Sequence, residues 1–393
     1  ICLLIAFSMG ASAGAGVIVS QFYGAGDENG VQRSAHTALM LALILGIVLT
    51  IAGIVFSPAI LRWMRTPEEV MNQSVLYLRI YSYGLVFNVI YNMAAGILNA
   101  VGNSRRSLMY LAVASFSNIF LDLWLIGGMH MGVEGAAIAT VLSRYVELGI
   151  ITVWSHTHAD KVPYIKGVYR TLKIPKELTQ QIVAKGLPLI LNEALWAFGI
   201  AILNQCYSTR GLAAVAGINI SSTITNLFNV VFIAMGSALA IIVGQLLGAG
   251  KLKEAKETDT KLIFASVASC FIIGTIMAIV APLFPQLYNT TDEVKELATF
   301  FIIFSAFMMP FNAFLHSTYF TLRSGGKTLI TFFFDAGFVW IVSIPLAMML
   351  SRLTDMPVRV LYACCTGADL IKVVIGYILV KRGKWVVKIV DND

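Results

Sequence analysis

The sequence predicts an all-α membrane protein with many transmembrane helices. Hydrophobic residues make up 58% and charged residues 12% of its 393 positions, and the mean hydropathy is +0.80. A soluble domain is closer to about half apolar and about a quarter charged. Several apolar runs exceed the roughly 18–20 residues that a helix needs to cross a bilayer. Because strands with unpaired backbone groups cannot cross lipid, these runs are predicted to be helices.

Eleven spans are predicted along the chain. The first lies in "ICLLIAFSMGASAGAGVIVS", which lacks the cationic start of a signal peptide and is typical of the later part of a spanning helix. The predicted spans are 1–20, 35–57, 73–99, 105–126, 133–155, 187–207, 213–246, 260–284, 296–321, 328–350 and 357–380.

The basic residues predict the orientation of these spans. With the turn "GAGDENG" placed inside the cell, nineteen of the 28 Lys and Arg residues fall in inner loops or the tail, five in outer loops and four within spans. Cytoplasmic loops of membrane proteins carry this excess of positive charge. We therefore expect a protein of the plasma membrane. The basic segment 156–185 and the C-terminus are expected to be cytoplasmic.

A stretch of the chain is repeated 224 positions further on. "VSQFYGAGDENG" at 19–30 returns as "VGQLLGAGKLKE" at 243–254, and the offset holds without a gap for about eighty residues. Later matches include Pro58 with Pro282, Leu98 with Leu322 and Gly102 with Gly326. A match of this length predicts that a whole lobe is duplicated.

The duplication predicts the domain organisation. The chain crosses the membrane six times between the two copies, so the lobes are expected to be parallel and related by a pseudo-two-fold axis along the membrane normal. We expect an N-lobe at 1–155, a basic cytoplasmic linker at 156–185 and a C-lobe at 186–393. The span at 187–207 has its expected counterpart before residue 1, so the natural protein is expected to have twelve spans in two six-helix lobes, of which the first span is missing here.

Several motifs together resemble the multidrug and toxic compound extrusion (MATE) family. They are "SQFYGAGD", "GILNAVGNSRRSLMY", "GVEGAAIATVLSR", "AKGLPLILNEALW" and "GQLLGAGKLKEAK", which lie in both lobes. The resemblance covers essentially the whole chain. It implies a V-shaped pair of six-helix bundles that exports organic, often cationic, compounds in exchange for protons or sodium ions.

Glu193 is the foremost candidate for an ion or substrate site. It lies inside the span 187–207, with Trp196 and Asn204 on the same helical face. A carboxylate is costly inside a membrane unless it takes a proton or a cation. Family members often carry an acidic residue on this helix, commonly about one turn later. The alternative role for Glu193 is a structural ion pair with another helix.

The duplication points to a second set of polar residues. Asn88 and Asn92 correspond to Asn312 and His316, and each pair lies four residues apart on one helical face. Some family members have an aspartate at the position of Asn312, so a sodium site built from two carboxylates is in doubt here. His316 can change its charge near neutral pH, although a structural histidine is an equally good interpretation.

Two pairs of opposite charge lie three residues apart within spans. They are Arg144 with Glu147 and Asp369 with Lys372, and mutual neutralisation is the favoured interpretation of both. Asp369 nevertheless belongs to the candidate ion- or substrate-binding set, and Asp335, inside the span 328–350, is a further candidate.

Other partners and chemistries receive little support. The five cysteines lie mostly within apolar runs and have neither a disulfide framework nor metal-ligand spacing. The net charge of +7 is explained by cationic inner loops, so no nucleic-acid partner is predicted. We expect no cofactor, no metal and no catalytic residues. The predicted partners are a small organic substrate, a coupling proton or sodium ion and membrane lipid, and the chain is expected to act as a monomer.

Three functions remain open at this point. The leading hypothesis is a proton- or sodium-coupled exporter of amphipathic organic cations. A flippase for lipid-linked sugars is the alternative within the same superfamily, but such proteins usually line their cavity with several basic residues. An intramembrane lipid-modifying enzyme needs clustered His, Asp and Glu residues at a membrane face, and the sequence shows no nucleophile constellation.

Overall fold

Helices account for the secondary structure of the described residues. The computed structural model describes residues 2–63, 67–158 and 174–390, and no strand occurs among them. The helices are α1 (Cys2–Gly24), α2 (Glu28–Trp63), α3 (Glu68–Tyr83), α4 (Leu85–Ala100), α5 (Ser104–Asp122), α6 (Gly132–Thr157), α7 (Lys176–Ser208), α8 (Leu212–Gly248), α9 (Leu252–Val280), α10 (Asp292–Ser324), α11 (Thr328–Phe332), α12 (Ile344–Leu353), α13 (Val358–Gly367) and α14 (Asp369–Arg382).

Nine helical segments in the described part of the chain are long and apolar enough to cross a membrane. They correspond to nine of the eleven predicted spans. The predicted span 1–20 lies in α1, and the predicted span 73–99 is divided into α3 and α4 at Gly84. The all-helical, many-span prediction is therefore confirmed.

The helices divide into two compact units. The described residues up to Leu191 form the first unit, and those from Asn192 onward form the second. The division falls within α7, a few residues beyond the lobe boundary that the sequence suggested. Of the predicted linker 156–185, α6 continues to Thr157 and α7 already begins at Lys176, while residues 159–173 lie outside the described part.

In the first unit, small residues allow α1 to approach two other helices closely. A Cβ atom on Gly14 would lie 2.3 Å from the Cα of Gly186 on α7, and one on Gly10 would lie 2.6 Å from the Cα of Ile190. On α4, a Cβ at Gly96 would meet the Ser12 hydroxyl at 2.1 Å. Small residues at such crossings are typical of membrane helices, whose association depends on close packing.

The second unit repeats features of the first at the predicted offset. Ala25 donates its backbone N–H to Gln21 at 2.9 Å, and Ala249 donates to Gln245 at 2.9 Å. Each turn ends in a glycine with positive φ, 73° at Gly26 and 74° at Gly250. These are left-handed conformations that L side chains rarely adopt, which explains why glycine recurs there. The repeated turn predicted from the sequence is confirmed.

The repetition extends to a packing contact between helices. Ser12 on α1 faces Gly96 on α4, and the positions 224 residues later are Gly236 on α8 and Phe320 on α10. A Cβ on Gly236 would lie 2.3 Å from the Phe320 ring. The two units thus make an equivalent contact, but the glycine lies on the later helix of the pair in one unit and on the earlier helix in the other.

Two π-helical turns interrupt the span between α11 and α12. They comprise Phe333–Gly337 and Val339–Ser343. The first turn contains Asp335. The second packs against α7, where a Cβ on Gly199 would lie 2.7 Å from a methyl carbon of Val339. Turns of this kind occur frequently at functional sites, since they shift the side chains that follow around the helix axis.

Candidate functional site

A cluster of polar and ionisable residues lies inside the second unit. It is formed by α7, α10, α14 and the first π-helical turn. Its central carboxylate belongs to Asp335, which accepts hydrogen bonds on both oxygens. Lys372 Nζ on α14 donates to Oδ1 at 2.6 Å, and Asn192 Nδ2 on α7 donates to Oδ2 at 3.0 Å. Asp335 is therefore both neutralised and held in position.

Asn192 joins two elements of this cluster. Its amide nitrogen binds Asp335, and its amide oxygen accepts the backbone N–H of Ala336 at 3.0 Å. The residue is 1% exposed. Since the extra residue of a π-helical turn disturbs the regular backbone ladder, a side-chain acceptor here stabilises the turn that positions Asp335.

Glu193 lies next to Asn192 on α7 and is half-buried. Tyr319 Oη on α10 donates to Glu193 Oε1 at 3.3 Å, which is a long hydrogen bond. In the described part of the chain, no basic side chain forms an ion pair with Glu193 within 4.0 Å. Arg323 and Asp335 lie within electrostatic range of it. Glu193 is therefore much less compensated than Asp335.

His316 and Asn312 lie on α10, four residues apart. The His316 ring packs edge-on against the Phe232 ring, with 4.5 Å between ring centroids. Asp335 and Lys372 lie within electrostatic range of this imidazole. Asn312 is half-buried one helical turn away from His316. Of this predicted pair, the structure brings His316 to the cluster.

The predicted pairing of Asp369 with Lys372 is wrong. Lys372 forms its 2.6 Å ion pair with Asp335, which lies on a different helical segment. Its ammonium group also lies 5.1 Å from the centroid of the Phe334 ring. Asp369, half-buried at the start of α14, lies within electrostatic range of both Lys372 and Asp335. Lys372 thus pairs with Asp335, the carboxylate that is held in position by the π-helical turn and by Asn192.

Two predicted site residues are not members of this cluster. Asn204 is exposed on α7, and eleven residues of helix place it about 16 Å from Glu193 along the axis. Asn88 belongs to the first unit, where it is 5% exposed and accepts hydrogen bonds from Asn92 Nδ2 on its backbone oxygen at 2.8 Å and its side-chain oxygen at 3.0 Å. These bonds indicate a local structural role for Asn88.

The predicted ion pair in the first unit is present. Arg144 Nη1 lies 2.6 Å from Glu147 Oε2, and the Glu147 side chain is fully buried. This confirms the prediction of mutual neutralisation for that pair.

Sequence reasoning missed the roles of Asn192, Tyr319 and Lys372. A signal for Lys372 was present, because two residues of opposite charge on consecutive spans, Asp335 and Lys372, are natural partners in a membrane. The described part of the chain contains no group of three His, Cys, Asp or Glu side chains arranged to hold a metal ion.

Ionisable groups inside spanning helices mark ion or substrate paths, and together with a duplicated helical architecture they define a secondary transporter. The chain belongs to the MatE family, which matches residues 1–124 and 188–349. Members of this family are transporters, not enzymes, so an intramembrane lipid-modifying enzyme is excluded.

Curated relatives and solved structures agree with this family. The chain is 27% identical to "Probable multidrug resistance protein YoeA" of Bacillus subtilis over 91% of this chain and 78% of the relative. It is 25% identical to "Probable multidrug resistance protein NorM" of Thermotoga maritima over 89% and 75%. A crystal structure of MATE in the straight conformation superposes with a TM-score of 0.90 at 22% identity and covers 98% of this chain and 86% of that chain.

Proposed function

We propose that this chain is a cation-coupled antiporter that exports amphipathic organic, often cationic, compounds by alternating access. Several relatives carry names such as multidrug resistance protein or, in Staphylococcus haemolyticus, "Multidrug export protein MepA". The coupling ion is a proton or a sodium ion. The protein acts as a monomer in the plasma membrane, with its inter-lobe linker and C-terminus in the cytoplasm.

The environment of Glu193 is the observation that best supports this proposal. Glu193 is a carboxylate within a spanning helix, and its hydrogen-bond partner in the structure is the neutral hydroxyl of Tyr319. The neighbouring carboxylate of Asp335 already holds the ammonium group of Lys372. Because an uncompensated charge is expensive in a membrane, Glu193 is the group best suited to take a proton, a sodium ion or a cationic substrate. Asp335 and Arg323 are the charged groups within electrostatic range of Glu193.

The Glu193→Gln variant is expected to lose transport. Glutamine keeps the shape and the hydrogen bond to Tyr319 but removes the charge, so efflux of ethidium from an efflux-deficient host should fall at least about tenfold. Full-length protein should reach the membrane at a normal level. The matched control is Glu134→Gln, which neutralises an exposed carboxylate at the start of α6 and should leave efflux unchanged.

Two outcomes contradict this role of Glu193. Full efflux by Glu193→Gln removes the residue from the mechanism. A parallel fall in thermal stability and expression points instead to a structural role of the Glu193 carboxylate.

The proposed orientation is tested by labelling two exposed positions. In a variant without the five native cysteines, a cysteine introduced by Arg352→Cys should react with a membrane-impermeant maleimide on intact cells. One introduced by Lys253→Cys should react only after permeabilisation, because that loop carries inner positive charges. If the Lys253→Cys variant is labelled on intact cells, the proposed orientation is wrong and the loop faces the outside of the cell.

A further inference from the structure

In the ion pair of Asp335 and Lys372, the cation bound to the carboxylate is the ammonium group of a lysine side chain. The ammonium group of Lys372 occupies one carboxylate oxygen of Asp335 at 2.6 Å, and the lysine as a whole is 8% exposed. The other carboxylate oxygen is held by Asn192, and Ala336 of the same π-helical turn is also bound to Asn192. Asp335 is thus a fixed carboxylate with a cation on it, and that cation is carried by the flexible side chain of a neighbouring helix.

A second carboxylate lies within reach of the same lysine. Asp369 precedes Lys372 by three residues on α14, so the two side chains are neighbours on the helix surface, with Cβ atoms about 5–6 Å apart. Among the described residues, Asp369 has no ion pair within 4.0 Å. Asp335 and Asp369 also lie within electrostatic range of each other. One ammonium group is therefore paired with Asp335 and lies within electrostatic range of a second carboxylate, Asp369.

The summed charge of Asp335, Asp369 and Lys372 shows that this group is one positive charge short of neutrality. With both carboxylates ionised, the two aspartates and the lysine carry one net negative charge, so one added monovalent cation makes the group neutral. The other charged or titratable groups that interact electrostatically with the two aspartates or their neighbours are Glu193 and Tyr207 on α7, His316, Tyr319 and Arg323 on α10, and Tyr362 on α13. Neutral groups are strongly preferred within a membrane-spanning bundle.

We propose that Asp335 is a second cation-binding carboxylate, occupied by Lys372 in this conformation, and that a proton or sodium ion displaces Lys372, which then pairs with Asp369. The inference rests on the proposed antiport and extends it to a second site beside Glu193. Lys372 has a carboxylate partner in both states, because its ammonium group pairs with Asp369 after it leaves Asp335. The exchange needs only rotamer changes of one lysine, since Asn192 keeps Asp335 in place throughout.

Cation binding to purified full-length protein tests this exchange. Thermal unfolding is followed while Na⁺ replaces choline at constant ionic strength and pH, and separately while pH is lowered without Na⁺. The two series distinguish sodium from protons as the ligand. Asp369→Asn removes the second partner of Lys372 but breaks no ion pair of the structure. It should raise the cation concentration needed for half-maximal stabilisation at least about tenfold, with each shift measured from the variant's own ligand-free midpoint.

A second variant isolates the Asp335 site without stranding a charge. Asp335→Asn combined with Lys372→Met removes both members of the pair. This double variant should lose the part of the cation-dependent stabilisation that comes from binding at Asp335 (the Asp335 component) and keep the part that comes from binding at Glu193 (the Glu193 component). Glu193→Gln should do the reverse. If Asp369→Asn binds the cation like the unaltered protein, or if the double variant retains both components, the exchange is refuted. Loss of the Glu193 component alone leaves this inference intact, so the two proposals fail separately.

Discussion

Gly14→Ala is expected to disrupt the first unit. The added Cβ would lie 2.3 Å from the Cα and 2.6 Å from the N of Gly186, and these are backbone atoms that cannot rotate away. The crossing of α1 with α7 must therefore open. Overpacking of this kind typically costs about 1–3 kcal/mol and occasionally more, and we expect the upper end here because backbone must move. The thermal unfolding midpoint of detergent-solubilised protein measures the effect.

Gly16→Ala is the matched control for this prediction. Gly16 lies two residues further along the same helix, and a Cβ there would have no atom within 4 Å. The same substitution should therefore be harmless, or stabilising by roughly 0.5–1 kcal/mol, because alanine loses less conformational freedom than glycine in a helix. Equal midpoints for the two variants would show that the close crossing of α1 and α7 does not contribute to stability.

Asn192→Leu is expected to abolish transport and to lower stability. Leucine is similar in size, but it removes the donor to Asp335 and the acceptor for the Ala336 N–H. Each buried group that loses its partner costs about 1–3 kcal/mol. Without this support the π-helical turn no longer holds Asp335 beside Lys372, and efflux should fall even in the fraction that remains folded.

The control for Asn192 lies on the same helix. Gln205 is exposed on α7, so Gln205→Leu should change the unfolding midpoint little. Efflux per folded molecule then separates a positioning role from a purely structural one. If Asn192→Leu exports normally once the amount of folded protein is matched, Asn192 does not position Asp335 for transport.

The spans and the duplication could be predicted from the sequence because they depend on local composition and on internal comparison. Apolar runs fix where helices cross the membrane, and the constant offset fixes which residues correspond. Gly10 and Gly14 form a small-residue motif that also signals a close helix crossing, although its partner on α7 cannot be read from one helix.

The candidate site could be predicted only in part. Glu193 stood out because a lone carboxylate in an apolar run is rare. The partner of Lys372 could not be predicted by helical spacing, since its distance along the chain favours Asp369 and the tertiary fold brings Asp335 closer. The π-helical turn also changes the direction of Asp335, and a pattern based on 3.6 residues per turn does not include that shift.

The equivalent packing contacts in the two units limit how the copies of a duplicated gene can diverge. Ser12 faces Gly96 in one half, whereas Gly236 faces Phe320 in the other. A chimera that moved α1 into the place of α8 would set a serine against the phenylalanine ring, where now only glycine fits. A chimera that moved both helices of a pair would keep the contact filled. Enlarging the glycine of either contact therefore requires a smaller residue on the facing helix, so the two helices of a pair are best exchanged together.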